Sequence, residues 1–533
     1  MQTIAGAALS VQLPWIGPAL RRWLGVIAVA LGVLLAAAIA GPDASWDLRN
    51  YHLYNGYAWL HGRIGTDIDP AQMQTFYSPL LDIAYVLLLQ AFNETPRLLA
   101  TVLAVPHAIA AVLVLVLARR MLPPWHAFAA ALIGITGAAG LPTLGTAMSE
   151  MAPADCIFGA ALLLIRADGT RPSEQGVLVA GLLGGIAVGL KLTFAPYVLG
   201  LTGMAAISVA SGRGAWRLSW FAVGVMVGAA LTDGFWWWNL WQRFGNALFP
   251  YFNNLFRSPW GAPERMADLR FMPRSAMQSV LYPLFWTFTP QTLVTELPTR
   301  DPRIALGWIA VLAIMIGAVR QRRGPARSVA MVSTFWTLSY VAWETCFSIL
   351  RYLATLELLS GILMMIALRP LLTRLAWEWQ RVCAVALVLA LIAITVYPDW
   401  GRTAPGEPAV AVSLPPMPPE SLVVLLDPSP MAYVAAFAPT GTRFVGANNN
   451  LVHPGDRNLL AQQVEAAIRT HSSMLWGLEM PGESPGVADI TLRAYGLRRG
   501  KGCVPVHSNL DRDGIQACPL LRVSSVMRAR PGG

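Results

Sequence analysis

The ionisable residues Asp43, Asp47, His52, Glu150, Asp155, Lys191, Asp233, Arg351 and Glu357 stand at the ends of apolar segments or just beyond them. A carboxylate so placed can take a proton, and an arginine or lysine can hold an anion. Charge beside hydrocarbon is costly, so such residues usually pair or line a polar cavity. Each alone could instead sit in the headgroup zone, paired with lipid or water. Their gathering on one side, if the topology below holds, points to a shared outward-facing cavity.

The elements that must position them are read from hydropathy. Of 533 residues, 55% are hydrophobic and 13% charged, whereas a soluble chain carries roughly 25% charged residues. Apolar runs recur from Trp23 to Tyr397. They predict an α-helical polytopic membrane protein of about eleven spans. With Arg21 and Arg22 inside, six clusters fall on the cytoplasmic side: Arg21/Arg22, Arg119/Arg120, Arg166/Arg171, Arg213/Arg217, Arg320 to Arg327, and Arg369/Arg374. The positive-inside rule expects this distribution. It requires that Leu80–Phe92, short for a span, is re-entrant or interfacial; if it crosses, the later arginines change sides. The net charge of +10 is thus spread over loops, which excludes a nucleic-acid patch. The first apolar segment reads as a retained span.

Residues 1–22 are then a cytoplasmic N-terminus, 23–397 the membrane domain with outer loops 42–97 and 233–303, 398–420 a Pro-rich linker, and 421–533 a small α/β domain outside the membrane. In that domain SLVVLLD, TRFVG, SSMLWGLE and ADITLRA read as strands, and Asn458–Thr470 as a helix. Cys503 and Cys518 could pair in an oxidising compartment; two free thiols are the alternative.

From Asp47 the chain reads as a helix, with Trp46, Leu53 and Leu60 on one face and Asp47, Tyr51, Tyr54 and Ala58 beside it. Such a helix can lie in the interface and hold Asp47 level with lipid phosphates. It could equally be an anchor with Asp47 as its N-terminal cap. In the loop 233–303, GFWWWNLWQRFGNALFPYFNNLF reads either as an aromatic belt or as a sugar-stacking surface with Asn239, Asn246 and Asn253 bonding hydroxyls. No Walker sequence, zinc spacing or GxSxG is present to support ATP-driven transport or serine hydrolysis.

This order of elements resembles the GT-C glycosyltransferases, polytopic enzymes that use polyprenyl-phosphate-linked sugars. The likeness is to the branch of protein O-mannosyltransferases and lipid A aminoarabinose transferases, and to uncharacterised bacterial relatives. It rests on Asp47, Tyr51, Ala58 and His61-Gly62-Arg63, then Ser78-Pro79-Leu80, Arg97-Leu98, Arg119-Arg120, Asp155, Lys191 and Arg351-Tyr352, across residues 20 to 370. Leu48 and Ser78 depart from the pattern, and with Leu48 the paired acidic motif on which a divalent metal site could be built is missing.

The resemblance implies inverting transfer of a sugar to a glycan, lipid or protein acceptor on the periplasmic face of a bacterial inner membrane. It implies Asp47 as general base with Asp43 as fallback; Arg351 and Lys191 on the donor phosphate, with His52 on donor phosphate or acceptor; Tyr51 orienting acceptor; and Glu150 and Asp155 either orienting acceptor or merely pairing with arginine. For His52, a hydrogen-bonded structural histidine is the alternative. Rival readings are a lipid-linked glycan polymerase or ligase, and a transporter. Polar residues at span ends rather than at the bilayer midplane speak against the transporter.

Overall fold

The computed structural model describes residues 18–209, 214–264, 266–403, 407–511 and 514–523. Arg213, the side chains of Arg21 and Arg22, most of the N-terminal segment and part of the linker lie outside the described residues.

The chain is a helical polytopic membrane protein with a C-terminal sheet domain. Its principal helices are α1 (Pro18–Ala40), α4 (Pro96–Leu103) running into α5 (Val105–Arg119), α6 (Pro124–Ile135), α7 (Met151–Leu164), α8 (Glu174–Leu190), α9 (Ala195–Val209), α10 (Gly214–Phe244), α13 (Arg303–Arg320), α14 (Arg327–Cys346), α15 (Ala354–Leu372) and α16 (Trp377–Ile394). Among the described residues, six helical stretches are long and apolar enough to cross a membrane, and shorter apolar helices such as Met151–Leu164 stand beside them. Leu31, Leu35 and Ile39 of α1 are exposed, a stripe that suits lipid.

Between α1 and α4 lies a π-helical turn, Leu48–His52, which runs into α2 (Leu53–Leu60); α3 (Leu80–Phe92) follows. Segment 42–97 is therefore largely helical. The apolar run Leu80–Phe92 packs against α2. That contact is close because Gly56 has no side chain: a Cβ there would sit 2.2 Å from the Asp82 carbonyl oxygen.

Small residues also set the α8–α10 pair. Gly181 and Gly185 of α8 face Phe221 and Val225 of α10, while Gly224 and Gly228 face Leu178 and Leu182; each added Cβ would lie within 2.2 Å of a partner carbonyl. Two interleaved small-xxx-small faces let the backbones touch. The C-terminal end of α8 delivers Lys191.

One expectation fails in this helix. Residues 233–244 are not loop: α10 continues unbroken to Phe244, burying Trp236, Leu240 and Phe244 at helical spacing. The rest of the segment to residue 303 holds the short helices α11 (Asn253–Phe256) and α12 (Ala276–Phe285).

The C-terminal domain is built on one sheet with strands β1 (Val412–Ser413), β2 (Leu422–Leu425), β3 (Arg443–Gly446), β4 (Leu475–Glu479), β5 (Leu497–Arg499), β6 (Val504–Ser508) and β7 (Ile515–Arg522). Its order is β1-β6-β7-β4-β2-β3, with β5 paired to β7. β2 runs parallel to β3 and β4, and α17 (Leu459–Thr470) links β3 to β4, its N-terminus capped by Asn458. The segment ADITLRA is not a strand. It lies in α18 (Val487–Ala494), because Ala488, Thr491 and Leu492 bury one helical face.

The Pro-rich segment is not a free linker either. Ala409 and Val410 are buried, Asn93 bonds the backbone of both, and Val412–Ser413 joins the sheet against β6. Cys503 and Cys518 form a disulfide. They face each other because Val504 is opposite Ala517 in the antiparallel β6–β7 pair.

The sheet is docked onto the juxtamembrane region. Ile68 bridges Val445 in parallel and so extends the β3 edge. Arg63 holds Asp67 through two hydrogen bonds (2.8 and 2.6 Å), and Asp67 Oδ1 accepts from the Phe444 amide at 2.8 Å.

Candidate active site

Asp47 precedes the π-helical turn and is 5% exposed. Its side chain makes no capping hydrogen bond, so the cap reading fails. Instead its Oδ2 lies 3.0 Å from Arg351 Nη1 and 3.5 Å from the Tyr51 hydroxyl. Tyr51 follows Asp47 by one turn, and this brings the two side chains together. Burial and the Asp47 carboxylate push the Tyr51 phenol well above its ordinary range, so it remains a hydrogen-bond donor.

Arg351 belongs to a 3-10 turn, Leu350–Leu353, that opens α15. Its Nε lies 3.7 Å from Glu150 Oε1, and its guanidinium carbon 5.2 Å from the Tyr352 ring centre. Lys191 Nζ donates to the same Glu150 oxygen and to the Met148 carbonyl, both at 2.7 Å. Its Nζ also lies 5.9 Å from the Tyr352 ring centre. Glu150 sits at the start of α7 and is 1% exposed. Two acids and two bases thus form one buried, charge-balanced cluster: Asp47, Arg351, Glu150 and Lys191. Arg351 and Lys191 are the most open of the four, with 18% and 15% of their side chains exposed against 6% for Asp47 and 1% for Glu150.

The other expected site residues sort differently. His52 Nδ1 lies 2.6 Å from Asp82 Oδ1 of α3, and its Nε2 has no hydrogen-bond partner among the described residues. Asp43 is fully engaged: Oδ1 accepts from the Ser45 amide at 2.8 Å, and Oδ2 from the Ala147 amide at 2.9 Å. Asp155 lies five residues beyond Glu150 on α7, and its Oδ1 has no partner among the described residues. Glu357 belongs to a separate group: it accepts from the amides of Ala139 and Gly140, while Asp301 and Arg303 form a buried ion pair nearby. Asn246 and Asn253 are buried and bond their own loop backbone, so neither is offered to a sugar.

Asp82 escaped the sequence reading because it stands alone in an apolar run. Asp67 and Asp69 escaped it because their partners, Phe444 and Asn449, come from the distant C-terminal domain. Among the described residues, no three His, Cys, Asp or Glu side chains gather as metal ligands would.

The fold has solved counterparts. ArnT from Cupriavidus metallidurans in the apo state matches with a TM-score of 0.55 at 14% identity, over 94% of this chain and 98% of that one. ArnT from the same organism bound to undecaprenyl phosphate matches with a TM-score of 0.51 at 13% identity, over 96% and 99%. No protein-family model matches the chain, and no curated protein matches its sequence. At such identities the likeness is one of fold.

Proposed function

We infer, from a chain that has the GT-C fold, that it is a membrane glycosyltransferase which moves a sugar from a polyprenyl-phosphate donor to a hydroxyl acceptor. The observation that carries this reading is the cluster in which Arg351 and Lys191 share one oxygen of Glu150 while Arg351 also meets Asp47. Two cations for the leaving phosphate beside a carboxylate that can take a proton are what such a transfer requires. The similar ArnT structure holds undecaprenyl phosphate, which supports a lipid-linked donor here.

In this proposal the donor phosphate takes Arg351 and Lys191. A guanidinium can give it two hydrogen bonds, and an ammonium supplies a point charge. Arg351 then releases Asp47 Oδ2, which accepts the proton of the acceptor hydroxyl. The hydroxyl oxygen attacks the anomeric carbon, and the bond to the phosphate oxygen breaks. The electron pair leaves with polyprenyl phosphate, whose added charge Arg351 and Lys191 meet. Attack opposite the leaving group inverts the anomeric centre. Tyr51 holds Asp47 in register, and the Glu150 carboxylate keeps both cations in place when no donor is bound. Asp43 positions the chain ahead of Asp47 rather than serving as base. His52 acts through its contact with Asp82, as a positioning residue. With the cytoplasmic sides of the arginine clusters as expected, the reaction faces the periplasm of a bacterial inner membrane, where the disulfide would persist.

The test is sugar transfer in proteoliposomes from a panel of polyprenyl-phosphate sugars, with wild type against Asp47→Asn. The expected result is transfer by wild type and its collapse in the variant, with donor binding retained. Equal transfer by both would sink the assignment of Asp47. No transfer from any donor would sink the enzyme reading and favour a polymerase, ligase or transporter.

A further inference from the structure

A cavity of about 250 Å³ lies apart from the ionic cluster, where α2, the segment 64–79, the outward end of α10 and α17 of the C-terminal domain meet. Its walls combine aromatic rings with amides. Trp236, Trp260 and Phe244 supply flat apolar surface. Asn55, Asp69 and Asn239 line it as well, and each has an Oδ1 with no hydrogen-bond partner in the described structure. Asn55 and Asp69 are 3% and 1% exposed. Buried polar atoms are nearly always paired, so three unpaired oxygens around one cavity mark a place for a polar ligand that can both donate and accept.

The remaining bonds fix these side chains. Asn55 Nδ2 donates to the Gln74 carbonyl at 2.9 Å, which leaves its oxygen as the unpaired atom. Asp69 Oδ2 accepts from Asn449 Nδ2 at 2.9 Å. The lining is close to neutral: Asp67 is held by Arg63, and burial pushes the Asp69 carboxyl up to about 8, so near pH 7 it is mostly uncharged. Arg243 spends one Nη2 hydrogen bond on the Ile64 carbonyl. An anionic headgroup would find no cluster of cations here. A neutral ring with many hydroxyls would find stacking surface and unpaired polar oxygens together. At about 250 Å³ the space is below the roughly 300–1,000 Å³ of drug-sized sites, and so suits one ring rather than an oligosaccharide.

Tyr77 connects this cavity to the cluster. It lines the cavity, and its ring centre lies 5.5 Å from that of Tyr51, whose hydroxyl meets Asp47. We propose that the cavity binds a neutral monosaccharide unit, the terminal sugar of the acceptor, and so presents a hydroxyl toward Asp47 past Tyr77. The role as acceptor site rests on the glycosyltransferase reading; saccharide binding as such does not.

The experiment is saturation-transfer NMR on the full chain in nanodiscs with methyl glycosides of glucose, mannose, galactose and N-acetylglucosamine. Wild type, Asp47→Asn, Asn239→Leu and Trp260→Ala are compared, with melting temperatures recorded for each. The expected result is that at least one glycoside binds wild type and Asp47→Asn alike. Affinity should fall about tenfold or more in both Asn239→Leu and Trp260→Ala, the loss of one good hydrogen bond or stacking face. The two cavity variants act by different chemistry, so misfolding of one leaves the other informative. Binding of no glycoside, or binding unchanged in both folded cavity variants, would overturn the inference. Cavity-dependent binding without transfer from any donor would keep the saccharide site and remove its acceptor role. Transfer without cavity-dependent binding would overturn the inference and leave the assignment of Asp47 standing.

Discussion

Asp47 and Arg351, 304 positions apart by their numbers, meet at 3.0 Å between Oδ2 and Nη1. One comes from the turn that follows the first membrane helix, the other from the turn that opens α15. In the proposed reaction this ion pair is a resting state that the donor phosphate breaks. Arg351→Lys keeps the charge but loses the planar fork. Transfer is expected to fall about a hundredfold in kcat, in the range for loss of one donor to a developing anion. Initial rates over a donor titration check this; an effect on KM alone would place Arg351 outside the chemical step.

Gly56→Ala is expected to push α2 off α3, since the new Cβ would sit 2.2 Å from the Asp82 carbonyl oxygen. Overpacking of this kind costs about 1–3 kcal/mol. Asp82 also carries the contact to His52, so transfer should drop along with the melting temperature. A thermal melt of the purified protein in detergent, run beside the transfer assay, reads both.

Asp69 gives a pH dependence of known sign. Burial raises its carboxyl pKa to about 8 in the folded chain, above its ordinary value of 3.8. The folded state therefore holds a proton that the unfolded state releases. Stability is lost as pH rises from the ordinary value toward about 8, and levels off above it. Asp69→Asn should flatten that slope and raise the melting temperature at pH 8. Asparagine also tolerates the positive φ of 54° at this position, and its oxygen can still accept from Asn449. Melting curves from pH 5 to pH 9 decide the matter.

Cys503→Ser removes a bridge between residues 15 apart. A loop of that size is worth about 3 kcal/mol in the chain-entropy account. The C-terminal domain should become more sensitive to protease while the membrane helices remain protected. Limited proteolysis with and without reductant would show it.

Much of the candidate site was legible because the rule of charge near hydrocarbon singles out few residues. Asp47, Tyr51, Glu150, Lys191 and Arg351 all came from that rule or from the family resemblance, and they converge. Asp43 and Glu357 obey the same rule but bond backbone amides, a use that side-chain type does not reveal. The strands SLVVLLD and TRFVG and the helix from Asn458 were legible from periodicity. ADITLRA misled because its alternation of apolar and polar residues is also compatible with a short helix whose buried face is Ala488, Thr491 and Leu492. The end of α10 misled because Asp233 looks like the point where a span meets water, whereas the helix continues against the loop 64–79 and the C-terminal domain. The cavity was beyond reach, since its walls come from segments that nothing in local sequence brings together.

The hydrogen bond from the Phe444 amide to Asp67 joins residues 377 positions apart, and beside it Ile68 completes the edge of β3. That join has a consequence for how the protein is made. The ribosome delivers residues 63–69 some 377 residues ahead of their partners, at roughly 5–20 residues per second. For tens of seconds the Asp67 carboxylate and the backbone of Ile68 wait without the strand they will pair with. Arg63, only four residues from Asp67 and already bonded to both its oxygens, is the local partner that can occupy that carboxylate in the interval. A later part of the chain therefore closes over an earlier one, and a chain lacking β3 would be left with that surface open.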